Sequence, residues 1–165
     1  KRKDSSLEYI AYHNAIINKS INLTKLTQDY EFTYDNCEFK ISIPRKDKYV
    51  SKNDNNSSLI ISMKCQGKSL LFCGDAEEER IEEFIKENTQ AYDLVKIPHH
   101  GNYLHNYWSF LDNIKPTYAV ITCSNKNPSD ERTLKALSEN EISTYETKNG
   151  QISITITENN ITINQ

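Results

Sequence analysis

The sequence predicts an α/β (α+β) fold in which helices flank a mixed sheet, and two observations lead to this prediction. First, an apolar run at residues 68–73 is followed by a charged helical segment at 77–86 and a second apolar run at 93–97, which is the order strand, helix, strand. Second, the runs at 58–65 and 68–73 are almost continuously hydrophobic, as expected of strands that are covered on both faces. A turn at residues 66–67 joins these two runs as a hairpin.

The elements before this region are a helix, a hairpin and a loop. Helical spacing of apolar residues predicts a helix at residues 7–18, capped by one of the serines that precede it. Strand-like runs at 30–34 and 37–43 predict a hairpin. The stretch 45–57 is rich in Lys, Asp, Asn and Ser, so we expect a solvated loop without a further role.

The elements after this region alternate in the same way. A short helix at 106–114 is followed by a strand at 117–123 and by a helix for which Ser129 is the expected cap. Apolar and turn residues then predict strands at 142–146, 151–157 and 161–164.

Length and composition are those of one globular domain spanning residues 1–165. Hydrophobic residues make up 36% and charged residues 26% of the chain, which permits a buried core and argues against disorder. The net charge of −3 and the pI of about 5.8 give no sign of a basic groove for nucleic acid. No apolar run reaches transmembrane length, and no signal-peptide core follows the basic start.

The four cysteines are Cys37, Cys65, Cys73 and Cys123, and none forms a Cys-x-x-Cys pair. Cys65 and Cys73 lie in apolar runs, where a free cysteine usually acts as a small buried hydrophobe. We therefore expect a reduced, cytoplasmic protein. Because the chain has no initiator methionine, its only methionine being Met63, we also expect it to be part of a longer protein.

Two of the predicted strands end in candidate metal ligands. Asp75 follows the run at 68–73, and His99 and His100 follow the run at 93–97. In sheets flanked by helices, the chemistry commonly lies just beyond the carboxyl ends of strands. Adjacent histidines rarely serve a core, because successive side chains point apart and an unpaired buried imidazole is unfavourable. One of them can bind a metal while the other acts as an outer-shell donor or acid.

Each candidate also has an ordinary structural interpretation. Asp75 and Glu78 have the spacing of a helix capping box, and the local pattern alone favours the cap over a metal ligand. His13 is isolated on the first helix and is better explained as a surface or packing residue. His105 lies in the same loop as the histidine pair and could approach the site.

Three motifs and a tail carry a family resemblance. The motifs are Asn-Asn-Ser-Ser-Leu-Ile-Ile at 55–61, Leu-Leu-Phe-Cys-Gly-Asp at 70–75 and Asp-Leu-Val-Lys-Ile-Pro-His-His-Gly at 93–101, and the tail comprises residues 115–121 and 144–152. Their order and spacing resemble the second half of a metallo-β-lactamase-fold hydrolase. The branch resembled is that of the soluble C-terminal domain of ComEC-type competence proteins.

The resemblance implies the C-terminal half of a metallo-β-lactamase-type αβ/βα sandwich, with a site at its edge for two Zn²⁺ or, in some branches, Mn²⁺. It implies that Asp75 bridges the metals and that His99 or His100 is the last metal-binding histidine, with a slight preference for His100. The neighbouring imidazole would steady charge on the leaving oxygen. The implied activity is metal-assisted hydrolysis of an ester or phosphodiester, with nucleic acid as a candidate substrate. This reverses the local interpretation of Asp75.

The departures from the family are equally informative. The main ligand cluster, His-x-His-x-Asp-His, is absent, and Asn127 precedes Pro128 where many relatives have histidine. We therefore expect this chain to be inactive alone and to expose an apolar face that an N-terminal half or self-association covers. The alternatives are a non-catalytic binding or scaffold module with a degenerate metal site and a plain α/β domain with an unrelated ligand.

Overall fold

A computed structural model describes residues 6–51 and 54–165 of the chain. The helices in this part are α1 Leu7–Asn18, α2 Glu78–Glu87, α3 Tyr107–Ile114 and α4 Glu131–Glu139. The strands are β1 Tyr30–Tyr34, β2 Cys37–Ser42, β3 Ile60–Cys65, β4 Lys68–Phe72, β5 Leu94–Lys96, β6 Tyr118–Ile121, β7 Ser143–Glu146, β8 Ser153–Ile156 and β9 Ile161–Asn164. Short 3₁₀ turns lie at Asn55–Ser57 and Thr147–Asn149, and a tight turn with left-handed backbone lies at Pro98–Gly101.

Strands β1 to β7 form one mixed sheet in the order of the chain. The pairs from β1 to β4 are antiparallel, and the pairs from β4 to β7 are parallel. The change occurs at β4 because a tight turn joins β3 to β4, whereas α2, α3 and α4 provide the crossovers that parallel strands require. The predicted mixed sheet flanked by helices is confirmed.

The main core lies between the sheet and helices α2, α3 and α4. Alternate strand residues face this layer, among them Leu71 and Val95, and they pack with Ile81, Phe110 and Leu137 of the three helices. The neighbouring residues on the strands point to the other face of the sheet, where the β8–β9 hairpin covers part of the surface. The parallel region is therefore covered by helices on one face and in part by the hairpin on the other.

The antiparallel region presents an uncovered apolar face. Phe32 stacks on Phe39 of the neighbouring strand with ring centroids 4.9 Å apart, and Tyr30 and Tyr34 beside them are 48% and 73% exposed. Helix α1 likewise buries none of its side chains, and Leu7 is 81% exposed. Exposed apolar surface of this kind agrees with the expectation of a face that needs a partner. None of the helices described combines the length and the apolar character needed to cross a membrane.

The stretch 45–57, whose residues 52 and 53 lie outside the described part, binds α2 and is not simply solvated. Glu79, Glu83 and Glu87 form a stripe along α2, because residues four apart lie on the same side of a helix. Arg45 contacts Glu87 at 2.6 Å, and the backbone N–H groups of Arg45 and Ser51 donate to Glu83 and Glu79. The expectation of a loop without a further role is therefore wrong.

A disulfide joins Cys37 to Cys65, with their Cα atoms 4.4 Å apart. The expectation that Cys65 is a free thiol is wrong, because the β2–β3 register, in which Glu38 pairs with Lys64, brings the two cysteines opposite each other. Disulfides persist in oxidising compartments, so this pairing removes the argument for a reduced, cytoplasmic protein. Cys73 is free and buried, as expected.

Candidate functional site

The candidate site lies at the edge of the sheet where strands β4, β5 and β6 end. Because these strands are parallel, their carboxyl ends meet at this edge. The structure brings Asp75, after β4, to His100, after β5, with His100 Nε2 3.4 Å from Asp75 Oδ1. The two side chains are 45% and 54% exposed, respectively, so a ligand could reach both. Two residues predicted from strand ends are therefore neighbours in space.

A hydrogen bond to β6 orients the His100 imidazole. His100 Nδ1 lies 2.7 Å from the backbone oxygen of Thr122 and 3.1 Å from its hydroxyl. A carbonyl only accepts, so Nδ1 carries a proton and donates to Thr122, which leaves Nε2 as the ring nitrogen that faces Asp75. This is the usual outer-shell arrangement of a metal-binding histidine. Sequence reasoning missed Thr122, although its place directly after a strand is the signal that identified the other residues.

His99 is held in the opposite direction, towards the start of α2. Its Nδ1 lies 3.2 Å from Glu77 Oε1, and its Nε2 lies 3.3 Å from the amide nitrogen of Asn55. The same amide nitrogen donates to Glu77 at 2.8 Å. Because Asn55 donates to Nε2, Nδ1 carries the proton and donates to the carboxylate. Both nitrogens of His99 are thus engaged within the fold.

The loop that carries the two histidines has a left-handed backbone, and their side chains point in different directions. His99, His100 and Gly101 have successive positive φ values of 46°, 55° and 78°. Each non-glycine residue in this conformation costs about 1–2 kcal/mol. At Gly101, a Cβ would lie 2.8 Å from side-chain carbons of Ile121 and Ser129, so only glycine fits there. Consecutive strained residues of this kind are typical of functional sites.

Asp75 does not cap α2, so the capping-box interpretation is wrong. The helix begins at Glu78, and N–H groups at its start are satisfied from a distant loop, where Asn56 Oδ1 accepts from Glu77 and Arg80, each at 3.1 Å. Asn56 is only 1% exposed, and its side chain takes the place of a local N-cap residue. The Asp75 carboxylate is therefore free to face His100.

A largely buried carboxylate, that of Glu146, lies next to the segment that follows Thr122. Glu146 accepts hydrogen bonds from Ser129, Lys148 and Cys123. Burial raises the pKa of Glu146, but the hydrogen bonds from Ser129 and Lys148 together outweigh it and leave the pKa below its ordinary value. Ser129 is thus not the cap of α4, which is Asp130. The cluster holds the chain directly after Thr122.

The other histidines and Asn127 do not join Asp75 and His100. His105 packs edge-on against Tyr103 at 5.7 Å, and His13 lies beside Tyr9 at 6.0 Å on the exposed helix α1. The backbone N–H of Asn127 donates to the hydroxyl of Ser124, which closes a turn.

The donor set fits part of a metal site. An imidazole nitrogen and a carboxylate oxygen are ordinary ligands of Zn²⁺, which usually takes four. Among the residues described, no three His, Cys, Asp or Glu side chains converge closely enough to hold a metal ion. Asp75 and His100 could therefore contribute to such a site but would need further ligands.

Comparison with known proteins gives a partial similarity. No family model matches the chain. The chain is similar to ComE operon protein 3 of Bacillus subtilis (strain 168), with 32% identity over 92 residues. The matched region is 54% of this chain but 12% of that protein, so the chain corresponds to a small part of its relative. The match agrees with the competence-protein part of the resemblance, whereas the metallo-β-lactamase part remains a prediction.

Proposed function

We propose that this chain is the C-terminal part of a metal-dependent hydrolase of the metallo-β-lactamase fold, acting on a phosphodiester or related ester. The observation that carries the proposal is the approach of His100 Nε2 to Asp75 Oδ1, 3.4 Å apart at adjacent strand ends, with His100 Nδ1 anchored on Thr122. The similarity to ComE operon protein 3 supports a competence-related role.

Asp75 and His100 would hold the metal, Zn²⁺ or Mn²⁺, together with ligands from another segment of the same protein. The expectation of two cations in the complete site comes from the family resemblance, and a carboxylate such as that of Asp75 is compatible with it. When bound, such cations supply an acidic water and polarise the ester oxygen. His99 would position the loop and not bind metal, since Glu77 and Asn55 occupy both of its nitrogens.

Residues around the site also fix the orientation of the candidate ligands. The Thr122 carbonyl accepts a hydrogen bond from His100 Nδ1, so the ring is oriented with Nε2 as the nitrogen that a metal would meet. The exposure of both ligands leaves the edge open to a large substrate such as nucleic acid. The net charge of −3 lends no independent weight to a nucleic acid, so the substrate class rests on the resemblance.

The test is the metal content of the full-length protein that contains this chain, measured by elemental analysis. We expect about two equivalents of zinc or manganese and their loss in Asp75→Asn. His105→Gln is the control, because His105 is an exposed histidine of the loop that carries His100, and it packs on Tyr103 instead of facing Asp75. The metal-loaded protein would then be assayed with a chromogenic phosphodiester.

Two results would count against the proposal. A protein that folds normally, binds no metal and does not change on Asp75→Asn would favour the non-catalytic scaffold. Equal loss of metal in Asp75→Asn and His105→Gln would mean that either substitution disturbs the surrounding structure, and that the loss does not identify Asp75 as a ligand.

A further inference from the structure

Lys96 is a charged residue in an otherwise apolar parallel strand. In the sheet register it pairs with Phe72 on β4 and with Val120 on β6, so its side chain shares their face, opposite the helix layer. The side chain is half-buried there, and burial lowers its pKa while the Asp75 carboxylate raises it. A lysine is unfavourable in such a place unless its ammonium has a partner.

The partner of Lys96 is the peptide group that carries Asp75. Lys96 Nζ donates to the Gly74 carbonyl at 2.9 Å, and the backbone N–H of His99 donates to the same oxygen at 3.1 Å. On the other side of this peptide, the Asp75 N–H donates to the hydroxyl of Ser58 at 3.2 Å. The Gly74–Asp75 peptide is thus held from both sides.

This restraint matters because the turn is otherwise adaptable. Gly74 has a φ of +57° and no side chain to fix it. A charged donor makes a stronger hydrogen bond to a carbonyl than a backbone N–H does. The Lys96 ammonium is therefore the strongest restraint on the peptide from which the Asp75 side chain projects.

We propose that Lys96 is a positioning residue of the Asp75–His100 site, holding the Gly74–Asp75 peptide so that the carboxylate faces His100 Nε2. This inference rests on the proposed function, in which Asp75 and His100 are metal ligands. Lys96 acts through Gly74 and touches neither the metal nor the substrate. Its positive charge also offsets that of the Asp75 carboxylate while the metal is absent.

The test is the Zn²⁺ affinity of the full-length protein, measured by competition with a chelating dye. Loss of an outer-shell partner typically weakens metal binding about 10- to 100-fold, so we expect a loss of at least about 10-fold in Lys96→Met. Lys96→Arg keeps a charged donor and should restore most of the affinity. Lys64→Met is the matched control, because Lys64 is an exposed lysine in the neighbouring region of the same sheet.

The outcomes separate this inference from the proposed function. Metal binding in the wild type with unchanged affinity in Lys96→Met overturns the inference alone. A wild type without metal overturns both. If Lys96→Met does not fold, Lys96→Gln, which keeps a polar head but no charge, takes its place and should weaken binding in the same way. Equal losses in Lys96→Met and Lys96→Arg would also contradict the role assigned to the ammonium.

Discussion

The parallel and antiparallel regions of the sheet differ in how they are covered. Around β4, β5 and β6, helices pack on one face and the β8–β9 hairpin on the other, and the candidate site lies at the strand ends. Around β1 and β2, the face that bears Phe32 and Phe39 is exposed. The site region therefore packs against neighbouring elements within this chain, whereas the aromatic face is left exposed. Under the proposed function, the Asp75–His100 pair would also need metal ligands from outside the described residues.

Gly101→Ala should break the site region. The new Cβ would lie 2.8 Å from both Ile121 and Ser129 in a backbone with φ +78°, so strain and overpacking add. We expect a loss of about 4 kcal/mol in the free energy of unfolding, measured with urea. Gly67→Ala is the matched control, since Gly67 has a φ of +73° but no neighbour within 4 Å, and should lose only about 1 kcal/mol. Equal losses would contradict the close packing of the loop.

Removal of the disulfide tests what stabilises the antiparallel region. It closes a separation of 28 residues, so the double variant Cys37→Ser, Cys65→Ser should lose about 3 kcal/mol in the free energy of unfolding. Thiol titration of the denatured, unreduced protein should detect only Cys73 and Cys123, and reduction should add the other two. Four reactive thiols before reduction would contradict the pairing.

The strand-end position of Asp75 and His100 could be predicted because a parallel sheet brings adjacent carboxyl ends together. The cap of α2 could not, because Asn56 reaches the helix from a loop about 20 residues earlier in the chain and leaves no local pattern. The pairing of Cys37 with Cys65 likewise depends on strand register and not on spacing. Lys96 did leave a signal, a charge within an apolar strand, whose meaning required the position of Gly74.

The smallest expected effect is on the free energy of unfolding at acid pH, through the carboxyl group of Glu146. The folded-state pKa of Glu146 lies below its ordinary value of 4.5. Ionised Glu146 therefore stabilises the fold above that value, and the stabilisation is lost as the pH falls through the folded-state pKa. Glu146→Gln should flatten the decline of the unfolding free energy in this acid range, measured by urea titration at each pH. A decline as steep as that of the wild type would contradict the lowered pKa of Glu146 in the folded protein.

Substituting the two adjacent histidines one at a time tests most directly whether His100 is a metal ligand. We expect His100→Gln to remove Zn²⁺ binding from the full-length protein, because Nε2 of His100 faces Asp75. His99→Gln should retain binding, since glutamine can still hydrogen-bond to Glu77 and Asn55. Isothermal titration with Zn²⁺ measures both. Binding lost in His99→Gln and retained in His100→Gln would show that His100 is not the metal ligand.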